Sequence, residues 1–400
     1  MEFELSSDNR AIQENVRAFA AKEIRPHVAE WEKEGTFPRH IYAKMGELGY
    51  LGAIFPQQYG GSELGFLNLA LICEEIGRVH EALGSAFNMN STTCPFPILN
   101  WGSEIQRQRF VPEWIAGKKI GFFALTEPGG GTDVAGGMRT RGMKRGKSYI
   151  LNGTKQFITL GTVADVGLLF CKTDLDKGAR GISAFIVETS RPGFSASSVD
   201  TRVLGKCWPT SVIHLDNVEV PIDHLVGEEG QGFSIAMNAL DYGRLSVAAR
   251  CLGIAQAALD EMVAYANQRH AFGQPIGQFQ QVQAAIANTL VEVATARLLV
   301  YQLGWTLDVS GTSQPLLSSY AKYWAAEVAY RAAERGFEIL GGYAVTDDFP
   351  MARHLNTAAL LRTGEGSANL QRVLIAQDAL GYRTTSRYKI PQTFPLSAPH

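Results

Sequence analysis

The feature that most constrains the fold is a change in the spacing of apolar residues, which occurs twice along the 400-residue chain. From Ser7 to about Lys118, apolar residues recur at three- and four-residue spacings, which is typical of amphipathic helices. Between about Ile120 and Val226 the pattern becomes strand-like, and from Gly232 the helical spacing returns. This order predicts an α+β protein with a helical domain at 1–118, a β domain at 119–228, a helical bundle at 229–383 and an extended tail at 384–400.

The middle segment contains several short predicted strands, among them VGLLFCKTD, GISAFIVET and SVIHLDNVEV. In SYILNGTKQFIT, the pair Asn152–Gly153 lies between two β-rich runs, which predicts a hairpin turn at that pair. Strands with short connections favour an antiparallel sheet or barrel. Because strands and helices do not alternate, the glycines of EPGGGTDVAGG do not indicate a Rossmann domain.

Three apolar helical faces are predicted in the C-terminal segment. Their members are Leu252, Ala255, Leu259, Met262, Val263 and Ala266 on the first, Val282, Ile286, Leu290, Val293 and Val300 on the second, and Leu317, Ala321, Trp324, Val328 and Ala332 on the third. Together with the segment after Glu365, these faces are enough for a four-helix bundle.

The composition excludes several classes of partner. Charged residues make up 19% of the chain and the net charge is -2, so there is no electrostatic reason to expect nucleic acid or an anionic membrane. Five scattered cysteines without a CxxC pair indicate a reducing compartment rather than disulfides. With no leader pattern and no window of about 18 uncharged apolar residues, we expect a soluble cytoplasmic protein, although a processed organellar enzyme would look the same.

Several motifs suit a ligand, and each also has a plainer interpretation. The FFALTEPGGGTDV loop offers amides and the hydroxyls of Thr126 and Thr132 to a heterocycle or a phosphate, or is simply structural. Arg269 in RHAFGQPIGQFQ suits a phosphate or a helix C-terminus. Asp241 and Arg244, three residues apart, suit a local ion pair. The eight histidines show no ligand spacing such as HExxH, so no metal site is predicted.

Glu365 is the unusual residue, because glycines flank it in LLRTGEGSANLQR. Glycine destabilises a helix but allows special dihedrals and close approach of a ligand. An exposed glutamate at a helix start is the plainer interpretation. The apolar neighbourhood favours another, since a carboxylate in a dry site has a raised pKa and becomes a useful base near neutral pH.

Taken together, these motifs resemble the acyl-CoA dehydrogenase family of flavoproteins over nearly the whole chain, from Phe3 to about Tyr382. The matching stretches, in order, are LTEPGGGTDV, LNGTKQFIT, RLSVAARCLGIAQAALDEMVAYANQRHAFGQPIGQFQ, EILGGYAV and GEGSANLQR. The resemblance implies a helical domain, a β barrel and a four-helix bundle, with FAD between the β domain and the bundle.

The resemblance also implies a set of cofactor residues. Those expected around the flavin ring are Phe123, Leu125, Thr126, Phe157 and Thr159, the last near flavin N5. Those expected to hold the dinucleotide portion from a neighbouring subunit are Arg269, Phe272 and Gln280, with Gly341 and Gly342 along the pyrophosphate. Glu338, in the place of a commoner glutamine, Ser367 and Asn369 complete the set. Such sharing of FAD implies an obligate oligomer, by analogy a homotetramer.

For the substrate, the resemblance implies an acyl-CoA thioester, with Thr132, Asp241 and Arg244 contacting the coenzyme A portion. Glu365 matches the base that removes the α-proton while a β-hydride passes to flavin N5, giving the 2-enoyl-CoA. In this family the backbone N–H of the base polarises the thioester carbonyl together with a flavin ribityl hydroxyl, as an oxyanion hole does. Electrons would pass to an electron-transfer flavoprotein.

Three glycines depart from patterns in this family. Gly364 stands where many relatives carry a bulky residue, so a branched or cyclic acyl group is expected to fit. Gly84 stands where glutaryl-CoA dehydrogenases carry the arginine that pairs with a distal carboxylate. Gly243 stands where some relatives place an alternative base, which leaves Glu365 as the candidate base.

Two other hypotheses remain open at this point. One is a biosynthetic dehydrogenase that acts on an acyl group tethered to a carrier protein, since the pantetheine arm is the same. The other is a flavin-free structural or binding relative that kept the fold, since fold alone does not establish function.

Overall fold

The computed structural model describes residues 4–200 and 205–382, so the tail expected to be extended at 384–400 lies outside the described residues. Helices make up the N-terminal region, and several begin at residues that suit a helix start. Ser6 caps α1 by accepting from the Asn9 N–H, and Ser103 and Gln106 form a reciprocal capping box on α7. The helices are α1 Ser7–Phe19, α2 Val28–Glu34, α3 Arg39–Glu47, α4 Gly65–Val79, α5 Glu81–Asn88, α6 Pro95–Trp101 and α7 Glu104–Ile115. Short 3-10 or π segments lie at Ala20–Ile24, Arg25–His27, Gln57–Tyr59 and Met89–Thr93.

One sheet dominates the middle region. Its elements are β1 Phe123–Ala124, β2 Arg141–Arg145, β3 Ser148–Thr159, β4 Val166–Lys172, β5 Ile182–Glu188, β6 Phe194–Ser198, β7 Thr210–Pro221 and β8 Leu225–Val226, with the short helix α8 Val134–Gly137 after β1. The strand order is β6-β7-β3-β2-β4-β5-β8, and β1 pairs with β4. Most pairs are antiparallel, as the sequence predicts, but β4 pairs in parallel with both β1 and β2.

The predicted hairpin at Asn152–Gly153 is wrong. Both residues lie inside the continuous strand β3, where the register against β7 shifts between Leu151 and Gly153. A Cβ at residue 153 would lie 2.5 Å from the Thr140 hydroxyl, so glycine is required there by close packing at a bulge. The tight turn between β2 and β3 instead lies at Gly146, whose φ is 60°.

Long helices form the C-terminal region. They are α9 Gly232–Gln268, α10 Gln280–Ser310, α11 Pro315–Leu340, α12 Met351–Leu361 and α13 Ala368–Ala379, with a small hairpin of β9 His270–Ala271 and β10 Gln274–Pro275 after α9. Helix α11 packs on α9, α10, α12 and α13, and α9 also packs on α4 of the N-terminal region. The helical bundle is thus observed, and its longest helix is anchored in the first domain.

The predicted apolar faces are buried to different extents. On α9, Leu252, Ala255, Leu259, Met262 and Ala266 are buried, whereas Val263 is 38% exposed. On α10, Val293 and Val300 are buried but Leu290 is 52% exposed. Helix α10 therefore shows apolar side chains on two sides, one of which the single chain leaves uncovered.

Candidate active site

The loop between α12 and α13 has an irregular backbone centred on Glu365. Glu365 has a φ of 52°, in the left-handed region that residues with a Cβ seldom adopt, and Gly366 has a φ of 93°. The φ of 93° favours glycine at residue 366, where a Cβ would also lie 2.6 Å from Nε2 of Gln371. Backbone strain of this kind costs free energy and persists only where the surrounding structure stabilises it. Such residues cluster at functional sites.

Two side chains hold this loop through one carbonyl group. Lys322, buried on α11, donates to the Gly366 carbonyl at 2.8 Å, and Gln371 donates to the same oxygen at 3.2 Å. Burial lowers the pKa of Lys322 to about 8. The backbone N–H of Glu365 has no hydrogen-bond partner among the residues that the structure describes.

The two oxygens of the Glu365 carboxylate have different surroundings. Asn88, at the end of α5, donates from Nδ2 to Oε1 at 2.6 Å. Oε2 is buried and has no hydrogen-bond partner among the described residues. A Cβ at Gly243 of α9 would lie only 2.6 Å from Oε2, so glycine at 243 makes room for the carboxylate.

Burial is the main influence on the protonation of Glu365, and it raises the pKa of the carboxyl above its ordinary value. The nearby charge of Arg250 lowers that pKa, as do those of Arg244 and Lys322 to a lesser degree. The hydrogen bond from Asn88 acts in the same direction as these cations, because it favours the charged form.

Asp241 and Arg244 form the ion pair that their spacing predicts. Arg244 Nη1 donates to Asp241 Oδ1 at 2.8 Å, and Ser313 donates to the other carboxylate oxygen at 3.2 Å. Arg244 is buried, and its Nε has no hydrogen-bond partner among the described residues. Its Nη2 lies near Gly366, 3.8 Å from the position that a Cβ there would occupy. The pair therefore lies beside the Glu365 loop.

The two segments predicted to surround the flavin ring are joined by a buried lysine. Lys155 Nζ donates to Glu127 Oε1 at 2.8 Å and to the Leu125 carbonyl at 3.2 Å. The Gln156 N–H donates to the Thr126 carbonyl at 3.0 Å. These bonds bring residues 123–127 next to residues 155–159. Leu125 is buried, and Phe123, Thr126 and Thr159 are half-buried.

Phe157 and Phe272 are exposed aromatic residues in a strained backbone. Their φ values are 57° and 53°, and their side chains are 61% and 97% exposed in the single chain. Exposed aromatic side chains on a strained backbone are candidates for contact with a ligand or another subunit.

The residues predicted to hold the dinucleotide lie on an accessible surface. Arg269 is exposed with its guanidinium 6.0 Å from the Tyr343 ring centre, and Gln280 is exposed at the first position of α10. Gly341 and Gly342 follow α11, and a Cβ at either would meet nothing within 4 Å. Glu338 is exposed one turn earlier. This open backbone leaves room for a large polar group.

The other predicted residues are placed as follows. Thr132 is exposed in the loop before α8, Ser367 caps α13 by accepting from the Leu370 N–H, and Asn369 accepts from Arg372 at 2.8 Å. Gly364 is half-buried, and a Cβ there would have as its nearest neighbour the Leu360 carbonyl oxygen, at 4.0 Å. The space beside Gly364 is therefore free.

Sequence reasoning missed four buried polar residues at this site: Asn88, Lys155, Lys322 and Arg250. Each is a polar side chain within an apolar helix or strand, and each is at most 2% exposed. Because a buried polar group needs a partner, such residues can be noticed in the sequence, but their partners cannot.

A second polar cluster, formed by the half-buried Glu32 with the buried His80 and Cys207, joins the N-terminal domain to the loop before β7. One ligand atom from each lies within 4.8 Å of the others. His80 Nε2 is 2.9 Å from Glu32, and Nδ1 accepts from the Leu83 N–H. The ring proton therefore lies on Nε2 and faces the carboxylate, so the three groups satisfy one another without an ion.

Comparison with known proteins matches the whole of this architecture. Models of the acyl-CoA dehydrogenase N-terminal, middle and C-terminal domains match residues 6–118, 122–218 and 230–380. The chain belongs to the acyl-CoA dehydrogenase family. Acyl-CoA dehydrogenases are FAD-dependent oxidoreductases that act on CH–CH bonds, so the class of reaction and the cofactor predicted from the sequence are confirmed.

Individual relatives extend over nearly the full chain. A glutaryl-CoA dehydrogenase of Desulfococcus multivorans is 37% identical over 391 residues, covering 97% of this chain and 100% of the relative. The structure of butyryl-CoA dehydrogenase from Megasphaera elsdenii matches with a TM-score of 0.91 and 34% identity, over 95% of this chain and 100% of that one. A prolyl acyl carrier protein oxidase matches with a TM-score of 0.89 and 28% identity, over 94% and 100%.

The residues present fit FAD. Phe157 and Phe272 expose aromatic side chains that a bound planar ring system and a dinucleotide would cover. The open backbone at Gly341–Gly342 leaves room for a pyrophosphate. Arg269 offers a cation on the same surface.

Proposed function

We propose that this acyl-CoA dehydrogenase oxidises an acyl-CoA thioester to the 2-enoyl-CoA, with Glu365 as the base that removes the α-proton. The observation that carries the proposal is the state of the Glu365 carboxylate. Asn88 holds Oε1, while Oε2 is buried and free of hydrogen bonds to the described residues. A carboxylate oxygen in these surroundings has a raised affinity for a proton, as a general base near neutral pH requires.

The backbone of the same residue supplies the group that polarises the thioester carbonyl. The N–H of Glu365 has no partner among the described residues, so it is available to a substrate oxygen. Lys322 and Gln371 fix the neighbouring Gly366 carbonyl, which orients the peptide groups of the loop. A donor fixed in advance stabilises the developing enolate without reorganisation.

The residues proposed to hold the flavin ring belong to the β region. When bound, FAD supplies the acceptor for the β-hydride. The flavin ring would be held by Phe157, Thr126 and Thr159, with Thr159 near N5. The hydrogen bonds from Lys155 to Leu125 and Glu127 fix the spacing of the two segments that carry these residues. We propose that an electron-transfer flavoprotein then accepts the electrons.

The exposed face of α10 supports a homo-oligomer, which we propose to be a tetramer. Five large apolar side chains on this helix are each more than half exposed: Leu290, Val291, Leu298, Trp305 and Val309. Of the described helices, α10 alone meets a length and hydropathy criterion for crossing a membrane. However, Glu292 pairs with Arg335 at 2.7 Å and Arg297 with Glu74 at 3.1 Å, so the helix is anchored by charges within the protein.

A second copy of the chain is the cover that we propose for this face. Gln280, expected to bind FAD across subunits, is the first residue of the same helix and is exposed, and the exposed Phe272 precedes that helix. The oligomer and the cofactor would therefore stabilise each other.

We also propose that the enzyme is cytoplasmic.

Glu365→Gln tests the assignment of the base. We expect the variant to keep its flavin and its oligomeric state but to lose reduction of the flavin by any acyl-CoA, because a glutamine side chain cannot accept a proton near neutral pH. Anaerobic bleaching of the flavin absorbance with short linear, branched, ring-containing and dicarboxylic thioesters measures both proteins. Bleaching of the variant at the parental rate would remove Glu365 from its role.

The second candidate is a dehydrogenase of a carrier-protein thioester, favoured by the similarity to a prolyl acyl carrier protein oxidase. The two functions share the pantetheine arm and differ at the nucleotide end, where Thr132, Asp241 and Arg244 are expected to contact coenzyme A. Turnover of one acyl group on coenzyme A and on a carrier protein separates them. We favour coenzyme A, because the chain is 37% identical to a glutaryl-CoA dehydrogenase but 28% identical to the carrier protein oxidase.

A further inference from the structure

Three polar residues follow one face of α5, directly beside the proposed base. Glu81, Ser85 and Asn88 stand at positions i, i+4 and i+7, which share a side of a helix. Asn88 holds the Glu365 carboxylate, while Glu81 and Ser85 both bind Arg250 of α9. The proposed base and the Arg250–Glu81 pair are therefore neighbours along this face of α5.

Helix α9 approaches the same two groups, the Glu365 carboxylate and the Arg250–Glu81 pair. Gly243 lies against Oε2 of Glu365, and Arg250 follows seven residues later on the same side of the helix. Seven residues of an α-helix span about 10.5 Å. An acyl group that begins at the base and runs between α5 and α9 would reach the pair with its far end.

The pair is buried but incompletely hydrogen-bonded. Arg250 Nη1 donates to Glu81 Oε1 at 2.7 Å and to Ser85 Oγ at 2.5 Å, and Nε donates to the Ser246 carbonyl at 3.4 Å. Nη2 makes no hydrogen bond to a described residue, and Glu81 Oε2 is buried with no hydrogen-bond partner among the described residues. Arg250 is 2% exposed and Glu81 is 5% exposed. One charged donor and one charged acceptor thus remain unpaired, an arrangement that costs free energy unless a ligand group or a water satisfies it.

We propose that the Arg250–Glu81 pair binds a hydroxyl group at the far end of the acyl chain, so that the substrate is a hydroxyl-bearing acyl thioester. This inference rests on the proposed function. A hydroxyl accepts one hydrogen bond and donates another, which matches the free Nη2 and the free Oε2. A methyl group would leave both unpaired. A carboxylate would accept from Nη2 but would place a further negative charge beside Glu81 and Glu365.

Gly84 makes the pair possible. A Cβ at residue 84 would lie 2.9 Å from Arg250 Cδ and 3.3 Å from Glu81 Oε2. The missing side chain on α5 is the space that the arginine of α9 occupies. The polar end of the site is therefore built by three residues together, Glu81, Gly84 and Arg250.

Matched thioesters test the inference. Each pair has the same carbon skeleton with and without a terminal hydroxyl: butyryl and 4-hydroxybutyryl, pentanoyl and 5-hydroxypentanoyl, hexanoyl and 6-hydroxyhexanoyl, and cyclohexanecarbonyl and its 4-hydroxy form, all as coenzyme A thioesters. Glutaryl-CoA is the carboxylate probe. We expect at least one hydroxyl-bearing compound to exceed its partner about tenfold in kcat/KM for anaerobic flavin reduction, the ratio that one hydrogen bond to a charged group supplies.

A double variant, Arg250→Met with Glu81→Leu, shows whether the pair causes the preference. Replacing both members of a buried ion pair with apolar residues of similar volume is often neutral in stability, whereas removing one is not. Flavin content and thermal unfolding confirm the fold of the variant. We expect the ratio of kcat/KM between hydroxyl-bearing and unsubstituted thioesters to fall to about one or below.

The outcomes separate the two levels of proposal. Equal rates for every matched pair in the parent protein would mean that a buried water satisfies the pair, and the inference would be overturned. A preference for glutaryl-CoA would overturn the hydroxyl and assign a carboxylate. Retention of the hydroxyl preference by the folded double variant would remove Arg250 and Glu81 from recognition. If no thioester reduces the flavin, the proposed function itself fails and this inference falls with it.

Discussion

Asn88 Nδ2 lies 2.6 Å from Glu365 Oε1 and joins residues 277 positions apart in the chain. The side chain of Asn88 is oriented by Thr92, which donates to its Oδ1 at 2.5 Å, so the amide NH2 is the group that faces the carboxylate. The N-terminal domain thereby contributes directly to the protonation state of the proposed base.

Asn88→Ala is expected to shift the pH dependence of flavin reduction. In its proposed role as the base, Glu365 acts only when it is unprotonated, so activity is expected to fall as the pH drops through its pKa. Because the hydrogen bond from Asn88 lowers that pKa, its loss raises the pKa and moves the acidic limb to higher pH. Rates of flavin reduction from pH 5 to 9 measure the shift. Asn100→Ala, a buried asparagine that binds Asn238, is the control and should leave the limb in place.

Gly243→Ala is expected to displace the base. The new Cβ would lie 2.6 Å from Glu365 Oε2, so the carboxylate must move. A displacement of about 1 Å at a reacting group costs on the order of a hundredfold in rate. Rapid-reaction measurement of flavin reduction, with flavin content as a check on folding, tests this. A variant that binds flavin and reduces it at the parental rate would contradict the placement of Glu365 beside α9.

Gly364→Tyr is expected to change substrate choice with little loss of stability. The φ at residue 364 is negative and the nearest atom to a Cβ is 4.0 Å away, so the side chain can be accommodated. It would fill the space beside the base, and rates with branched and ring-containing thioesters should fall more than those with linear ones. A uniform loss for all thioesters would show that Gly364 does not shape the acyl site.

Lys155→Met is expected to weaken both the fold and flavin binding. It leaves the buried Glu127 carboxylate without its cation, a change that costs about 3–5 kcal/mol. The two segments proposed to surround the flavin ring lose the Lys155 hydrogen bonds that join them, so release of FAD should precede global unfolding on heating. Flavin fluorescence and circular dichroism, followed together, distinguish this order from a simultaneous transition. The double change Lys155→Met with Glu127→Gln, which removes both charges, should restore part of the stability.

Trp305→Lys is expected to break the oligomer. Trp305 is 57% exposed on α10, in the face that we assign to a second copy of the chain. A charge there would be desolvated by association. Light scattering after size exclusion should show a smaller species with reduced FAD content. Leu175→Lys, at a residue 52% exposed in the β region, is the matched control and should leave the mass unchanged. An unchanged mass for the Trp305 variant would exclude this face as the interface.

The three-part architecture was predictable because it depends on local spacing. The apolar periods along 1–118, 119–228 and 229–383 reflect which face of each helix or strand is buried, and that information is contained in neighbouring residues. The Asn152–Gly153 prediction failed for the same reason. The pair has the local preferences of a turn, but β7 on one side and Thr140 on the other hold it within a strand.

The candidate base was predictable from its glycines, whereas its surroundings were not. Gly364 and Gly366 mark a backbone that a regular helix cannot contain, and that mark is visible in sequence. Sequence also placed Asp241 and Arg244 together, since three residues along a helix bring side chains into contact.

Sequence by itself thus determined the order of helical and strand-rich domains, the family and the identity of the candidate base, because these follow from periodicity and from short motifs. Tertiary structure alone decided that Asn88 binds Glu365, that Gly243 makes room for Oε2, and that Arg250 and Glu81 meet near the base. Contacts of this kind join helices far apart in the chain, and no local preference records them. They arise only when the packing of α5 and α9 removes these polar groups from water and leaves them to one another.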